Sequence, residues 1–190
     1  DSVEEIETQI PGPAGAPDIP IRIYTPKNLG RPAPAYINFH GGGFIFGDLD
    51  SEHARTLAIS KACQAIAITI DYRLAPEHPY PAAINDCFTA LLWLVNNAKD
   101  MSVDTSKIVV GGGSAGGNLA ASIALMARDR GGPSICYQML IYPVLDDRAD
   151  TQSMSSSDDT YVITSQNVLD MWDYYLGSDR TKVPYYTAPS

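Results

Sequence analysis

The run KIVVGGGSAGGNLAASIALMARD, Lys107 to Asp129, allows the backbone few paths. Ile108, Val109 and Val110 are β-branched and suit a buried strand. Asn118 through Arg128 has helix-forming composition, with Leu119, Ile123 and Met126 at helical spacing. Ser114 therefore lies on a sharp strand-to-helix turn, flanked by Gly112 and Gly116 in the pattern G-x-S-x-G. Glycines there let neighbouring backbones approach without a Cβ clash, and the serine hydroxyl projects from the top of a sheet. The Ala115 N–H falls at a helix N-terminus, where backbone donors and the helix dipole favour developing negative charge. A phosphate-binding loop is the competing reading. It lacks the lysine that a P-loop places after its glycines, and no acidic ribose ligand can be assigned.

A second glycine cluster, HGGGFIFGD from His40 to Asp48, follows the apolar run PAYINF. Consecutive glycines lose more backbone freedom on ordering than any other residues, so a function must require the bare backbone. In open α/β sheets ligands bind beyond the carboxyl ends of the strands, where this loop and the Ser114 turn would both emerge. The N–H groups of Gly41 and Gly42 are expected to join Ala115 around one oxyanion, each donor of this kind contributing about 3 kcal/mol to an acyl-transfer barrier.

The rest of the chain supplies a matching frame. VEEIETQI and IPIRIYTP alternate in strand fashion on either side of PGPAGAPD, Pro11 to Asp18, and read as an antiparallel pair. PAYINF, QAIAITID, KIVVG and ICYQMLIYP are further strands. Between them lie helical segments, Ser51 to Ala62, Pro81 to Ala98 and Ala115 to Asp129. Strands alternating with helices imply an α/β fold, a mostly parallel sheet covered on both faces. From Asp146 the sequence turns acidic and serine-rich, then helical over Ser165 to Leu176. Residues 1–145 are thus read as the core, and 146–190 as a lid or cap-like insertion.

Composition narrows the partners. With 13 Lys and Arg against 22 Asp and Glu, a net charge of -9, the chain lacks material for the basic patch that nucleic acid or an anionic membrane would need. A small neutral substrate fits better. No window reaches transmembrane length, the acidic start DSVEEIETQI has no basic and apolar signal region, and the cytoplasm is the expected location. Cys63, Cys87 and Cys136 are odd in number and irregularly spaced, and are expected to be buried thiols rather than a disulfide framework. No His, Cys or Asp cluster has metal-ligand spacing, so neither metal nor organic cofactor is expected.

Three motifs in order, HGGGF from His40, DYRLAPEHPYPAA from Asp71 and GGSAGGNLAA from Gly112, resemble the hormone-sensitive-lipase-like (family IV) esterases of the α/β-hydrolase fold. MLIYPVLD and the terminal YYTAPS extend the resemblance over nearly the whole chain. It implies a carboxylesterase for short to medium acyl esters in which Ser114 attacks the carbonyl, with Gly41, Gly42 and Ala115 as oxyanion donors. It makes His40 a loop-organising residue, and Asp71, Arg73 and Glu77 a charge network supporting the loop. The residue before the nucleophile, usually acidic in the family, is Gly113. Phe44, Trp172, Tyr174 and Tyr175 are candidates for pocket lining, though aromatics at helical spacing are more often core.

A serine hydroxyl needs an oriented base, and in this fold the order is Ser, then Asp or Glu, then His. His40, His53 and His78 all precede Ser114. The carboxylates that follow, Asp146, Asp147, Asp150, Asp158 and Asp159, sit in a segment that reads as solvated loop. An ICYQMLIYP strand at the end of the sheet would also expose a long open edge. Both features create the expectation that the C-terminal strands, with the triad acid and base, come from polypeptide following Ser190 or from a second chain. The other possibility is lost catalysis. The plant gibberellin receptors resemble this family and bind a small hormone without hydrolysing it, which leaves a binding protein as the alternative class.

Overall fold

In a computed structural model that describes residues 2–156, 163–177, 183 and 185–189, the apolar runs build one six-stranded sheet. The strands are β1 (Val3–Ile10), β2 (Ile19–Pro26), β3 (Ala33–Phe39), β4 (Ile66–Ile70), β5 (Val103–Gly113) and β6 (Tyr137–Ile141). Their order is β1-β2-β4-β3-β5-β6. The β1–β2 hairpin attaches antiparallel to β4, while β4, β3, β5 and β6 run parallel.

The helices cover both faces, as continuous β-branched strands require. They are α1 (His53–Cys63), α2 (Ala82–Asn96), the single turn α3 (Ala98–Met101), α4 (Ala115–Asp129), the short α5 (Gln152–Ser156) and α6 (Ser165–Leu176). One face carries Ile37, Ile68, Ile108 and Val110 into the main core, where Leu91 of α2, Leu119 of α4 and Trp172 of α6 meet them. The opposite face offers Tyr24, Tyr36 and Ala67 to Leu57 and Ile59 of α1. Pleating sends successive residues to opposite faces, so Tyr36 and Ile37 serve different layers.

Two expectations need correction. Only Cys87 is a buried thiol. Cys63 closes α1 on its solvent side, Cys136 precedes β6 at the open end of the sheet, and both are exposed. The charge network also has a different partner: the Arg73 guanidinium grips Asp86 of α2 with two hydrogen bonds of 2.9 and 2.8 Å. No ion pair joins Arg73 to Asp71 or Glu77, because the fork of the arginine is filled by a carboxylate that is 1% exposed. The pair ties the chain leaving β4 to the start of α2.

Arg73→Met is expected to lower unfolding free energy by about 2 to 3 kcal/mol. This is the low end for a broken buried pair, since the arginine is partly exposed and the Arg73 N–H still donates to Asp86 at 3.0 Å. Urea denaturation reads it as a lower midpoint at unchanged slope. Arg73→Met with Asp86→Leu should regain most of the loss, and a double variant as weak as the single one would contradict this reading.

At the far side of the sheet, β6 is half-exposed and pairs only with β5 among the described residues. No helix of the described residues is long and apolar enough to cross a membrane.

Candidate active site

Parallel pairing of β3 with β5 sets Phe39 beside Gly112, so the loop from His40 and the turn at Ser114 leave the sheet side by side. The approach is very close. A Cβ on Gly116 would lie 1.9 Å from the Phe39 carbonyl oxygen, and one on Gly112 2.1 Å from the same atom. Only bare backbone lets α4 begin this near the end of β3.

Ser114 sits at φ +54° and ψ −118°, outside the regions open to a side chain without strain. Conformations of this kind cost on the order of 1–3 kcal/mol and persist where surrounding structure over-determines them. Here the Ser114 N–H donates to Ile141 at 2.9 Å, and its carbonyl accepts from Asn118 at 3.1 Å and Val144 at 3.2 Å. The buried Asn118 side chain then donates to the carbonyls of Val144 and Thr187, tying α4 to the loop after β6 and to the last described turn. The Ser114 hydroxyl has no hydrogen-bond partner among the described residues and opens into a cleft of about 440 Å³.

That cleft is bounded by the glycine loop, Phe46, Tyr142, Val144, Met171 and Ile163, and its wall is mainly apolar. Ala115 opens α4, so its N–H is one of the donors that a helix leaves without an internal partner. Gly42 lies at φ +119° and its carbonyl accepts from both Ile45 and Phe46, closing a tight turn. The N–H groups of Gly42 and Gly43 find no acceptor among the described residues. Gly41 is different. Its N–H donates to Glu52 Oε1 at 3.2 Å, so this expected oxyanion donor is already engaged, and the unengaged loop donors are Gly42 and Gly43.

His40 is fully buried. Its ring stacks on Tyr72 at 4.2 Å, its Nδ1 lies 2.7 Å from the Gly41 carbonyl, and the Tyr72 hydroxyl donates to the His40 carbonyl at 2.7 Å. Burial lowers its pKa, against the opposing pull of the Gly41 carbonyl. These contacts brace the loop from beneath. Asp71, whose carboxyl is pushed up by burial, and Glu77 line a separate hollow with Arg73.

The segment after Asp146 contributes directly. Phe44, at φ +62°, stacks on Tyr175 of α6 with centroids 3.8 Å apart, and Met171 packs against Gly43. Phe44, Trp172 and Tyr175 are core, whereas Tyr174 is half-exposed, and none of the four lines the cleft. Among the described residues the aromatic lining comes instead from Phe46 and Tyr142, both exposed.

No histidine among the described residues lines the cleft. His53 is held 3.0 Å from the Tyr24 hydroxyl and 3.3 Å from Arg22, over the other sheet face, and His78 borders the hollow shared by Asp71 and Glu77. Asp146 is occupied by Arg148, and Asp158 and Asp159 lie outside the described residues. Among the described residues no group of three or more His, Cys, Asp or Glu converges as a metal site.

The elbow, the glycine loop and the sheet order match a known family: residues 36–189 fit the family described as alpha/beta hydrolase fold. The chain belongs to the α/β-hydrolase family. It is 40% identical over 190 residues to a carboxylesterase, NlhH, of Mycobacterium tuberculosis, covering 97% of this chain and 59% of that protein. It is 46% identical over 140 residues to an esterase, LipI, of the same organism, covering 73% of this chain and 43% of the other. The solved structure of a bacterial heroin esterase superposes with a TM-score of 0.95 at 39% identity, over 100% of this chain and 61% of that one. A hyperthermophilic esterase from the archaeon Pyrobaculum calidifontis gives 0.90 at 35%, over 98% and 61%. The chain thus spans about three fifths of the length of the carboxylesterase it matches.

Proposed function

We propose that this chain carries the nucleophile and oxyanion hole of a serine carboxylesterase for short to medium acyl esters. Ser114 supports this most strongly: it is held in a strained turn and lines a mainly apolar cleft, and its hydroxyl and the facing N–H donors have no partner among the described residues. The Ser114 oxygen attacks the ester carbonyl carbon while a base takes its proton. The carbonyl oxygen gains negative charge against the N–H groups of Ala115, Gly42 and Gly43, and the alcohol leaves with a proton returned by the same base. Water then repeats the sequence on the acyl-enzyme. The mainly apolar wall suits the acyl chain, and the names of the related esterases support the same chemistry.

The triad acid and base are assigned to polypeptide outside these 190 residues. The reading is supported by the absence of histidine from the cleft among the described residues, by the half-exposed β6, and by relatives longer than this chain. Residues 146–190 act as a cap whose α6 shapes the loop as well as covering it. The cytoplasm remains the proposed compartment, consistent with three free thiols.

The test is pre-steady-state hydrolysis of a p-nitrophenyl ester by the full-length protein. A burst of nitrophenolate equal to the enzyme, followed by slower turnover, is expected of an acyl-enzyme. Saturable ester binding with neither burst nor turnover would instead identify a binding protein on the same fold.

A further inference from the structure

Glu52, immediately before α1, joins the two halves of the site, and no sequence motif points to it. Its side chain is 12% exposed and lines the same cleft as Ser114. One carboxylate oxygen accepts the Gly41 N–H, while the other is ion-paired with Arg55 one helical turn on. The elbow leaves room for this arrangement. A Cβ on Gly113 would lie 3.1 Å from Glu52 Oε1 and 3.4 Å from both terminal nitrogens of Arg55. Gly41 packs on the Gly113 carbonyl, where a Cβ would be only 3.0 Å away. The Glu52 carboxylate is therefore wedged where loop meets elbow, in space that a side chain at position 113 would otherwise claim.

We propose that Glu52 is a positioning residue: its carboxylate pins the Gly41 N–H, which sets the next two N–H groups of the loop over the Ser114 oxygen, and Arg55 neutralises that carboxylate beside the developing oxyanion. The inference rests on the esterase reading above. Two physical requirements meet in the pair. Oxyanion donors act only when held within a fraction of an ångström of their working position, and the Glu52 acceptor fixes the first residue of the loop from outside the reacting atoms. A bare carboxylate in a poorly solvated cleft would oppose negative charge on the substrate oxygen, so the acceptor is tolerable only with its cation in place.

Steady-state ester hydrolysis by the full-length protein and its variants tests this. Glu52→Ala should lower kcat about tenfold to a hundredfold and change KM less than about threefold, the pattern of donors displaced in the transition state with the acyl pocket intact. Glu52→Gln keeps an acceptor oxygen and should recover most of that loss. Arg55→Met should lower kcat, and adding Glu52→Gln to it should raise kcat again, because the amide carries no charge to compensate. The Arg55 pair of variants decides the matter if Glu52→Ala does not fold. An active wild type with Glu52→Ala at the same kcat, a loss confined to KM, or a double variant no better than Arg55→Met would overturn the assignment. A wild type without turnover would instead sink the esterase reading on which it rests.

Discussion

Replacing Ser114 with alanine is expected to lower ester turnover by the full-length protein about a million-fold, the loss seen when a serine nucleophile is removed from a working triad. Stability should change by no more than about 0.5 kcal/mol, because the hydroxyl has no partner to lose among the described residues and the turn is held by backbone hydrogen bonds. The separation matters. A variant that is folded by near-ultraviolet circular dichroism, with an unaltered urea midpoint and no turnover, assigns the loss to chemistry. Activity within tenfold of wild type would remove Ser114 from the reaction.

The second large effect belongs to Gly42. A Cβ at this position would sit 2.0 Å from the Phe46 carbonyl oxygen, on a backbone at φ +119° that side chains rarely adopt. Valine there must break the turn that Ile45 and Phe46 close on the Gly42 carbonyl. The proposed oxyanion donors sit on that turn, so Gly42→Val is expected to reduce kcat/KM by at least about a hundredfold, comparable to deleting one oxyanion donor. Alanine should act in the same direction, since the first side-chain carbon makes the clash. Gly30→Ala is the matched control, with no atom within 4 Å of the new carbon, and should leave turnover unchanged. A Gly42→Val protein with wild-type kcat/KM would place the loop outside the site.

The strand-turn-helix at Ser114 and the parallel sheet were legible because local chemistry and tertiary structure agree there. β-branched residues, flanking glycines and helical spacing from Leu119 to Met126 all specify the same path. The Arg73 partner was not legible. Nothing in DYRLAPEHPYPAA distinguishes Asp71 or Glu77 from Asp86, and only the docking of α2 brings that carboxylate to the guanidinium. Glu52 was hidden for a related reason: its contact with Gly41 joins the loop after β3 to the start of α1, an approach that no local pattern marks. Spacing likewise cannot reveal that the Gly41 N–H donates to the Glu52 carboxylate. The aromatics divided by packing, Phe44 turning inward onto Tyr175 while Phe46, two residues on, faces the cleft.

The proposed role of Ser114 is that of a nucleophile primed by the elbow and facing an oxyanion hole. It is tested most directly by inactivating the full-length protein with a p-nitrophenyl alkylphosphonate and mapping the adduct by peptide mass spectrometry. One phosphonyl group per chain is expected, carried by the peptide containing Ser114, with activity lost in proportion to labelling. An adduct on any other residue, or full ester turnover with Ser114 unlabelled after exhaustive treatment, would contradict it.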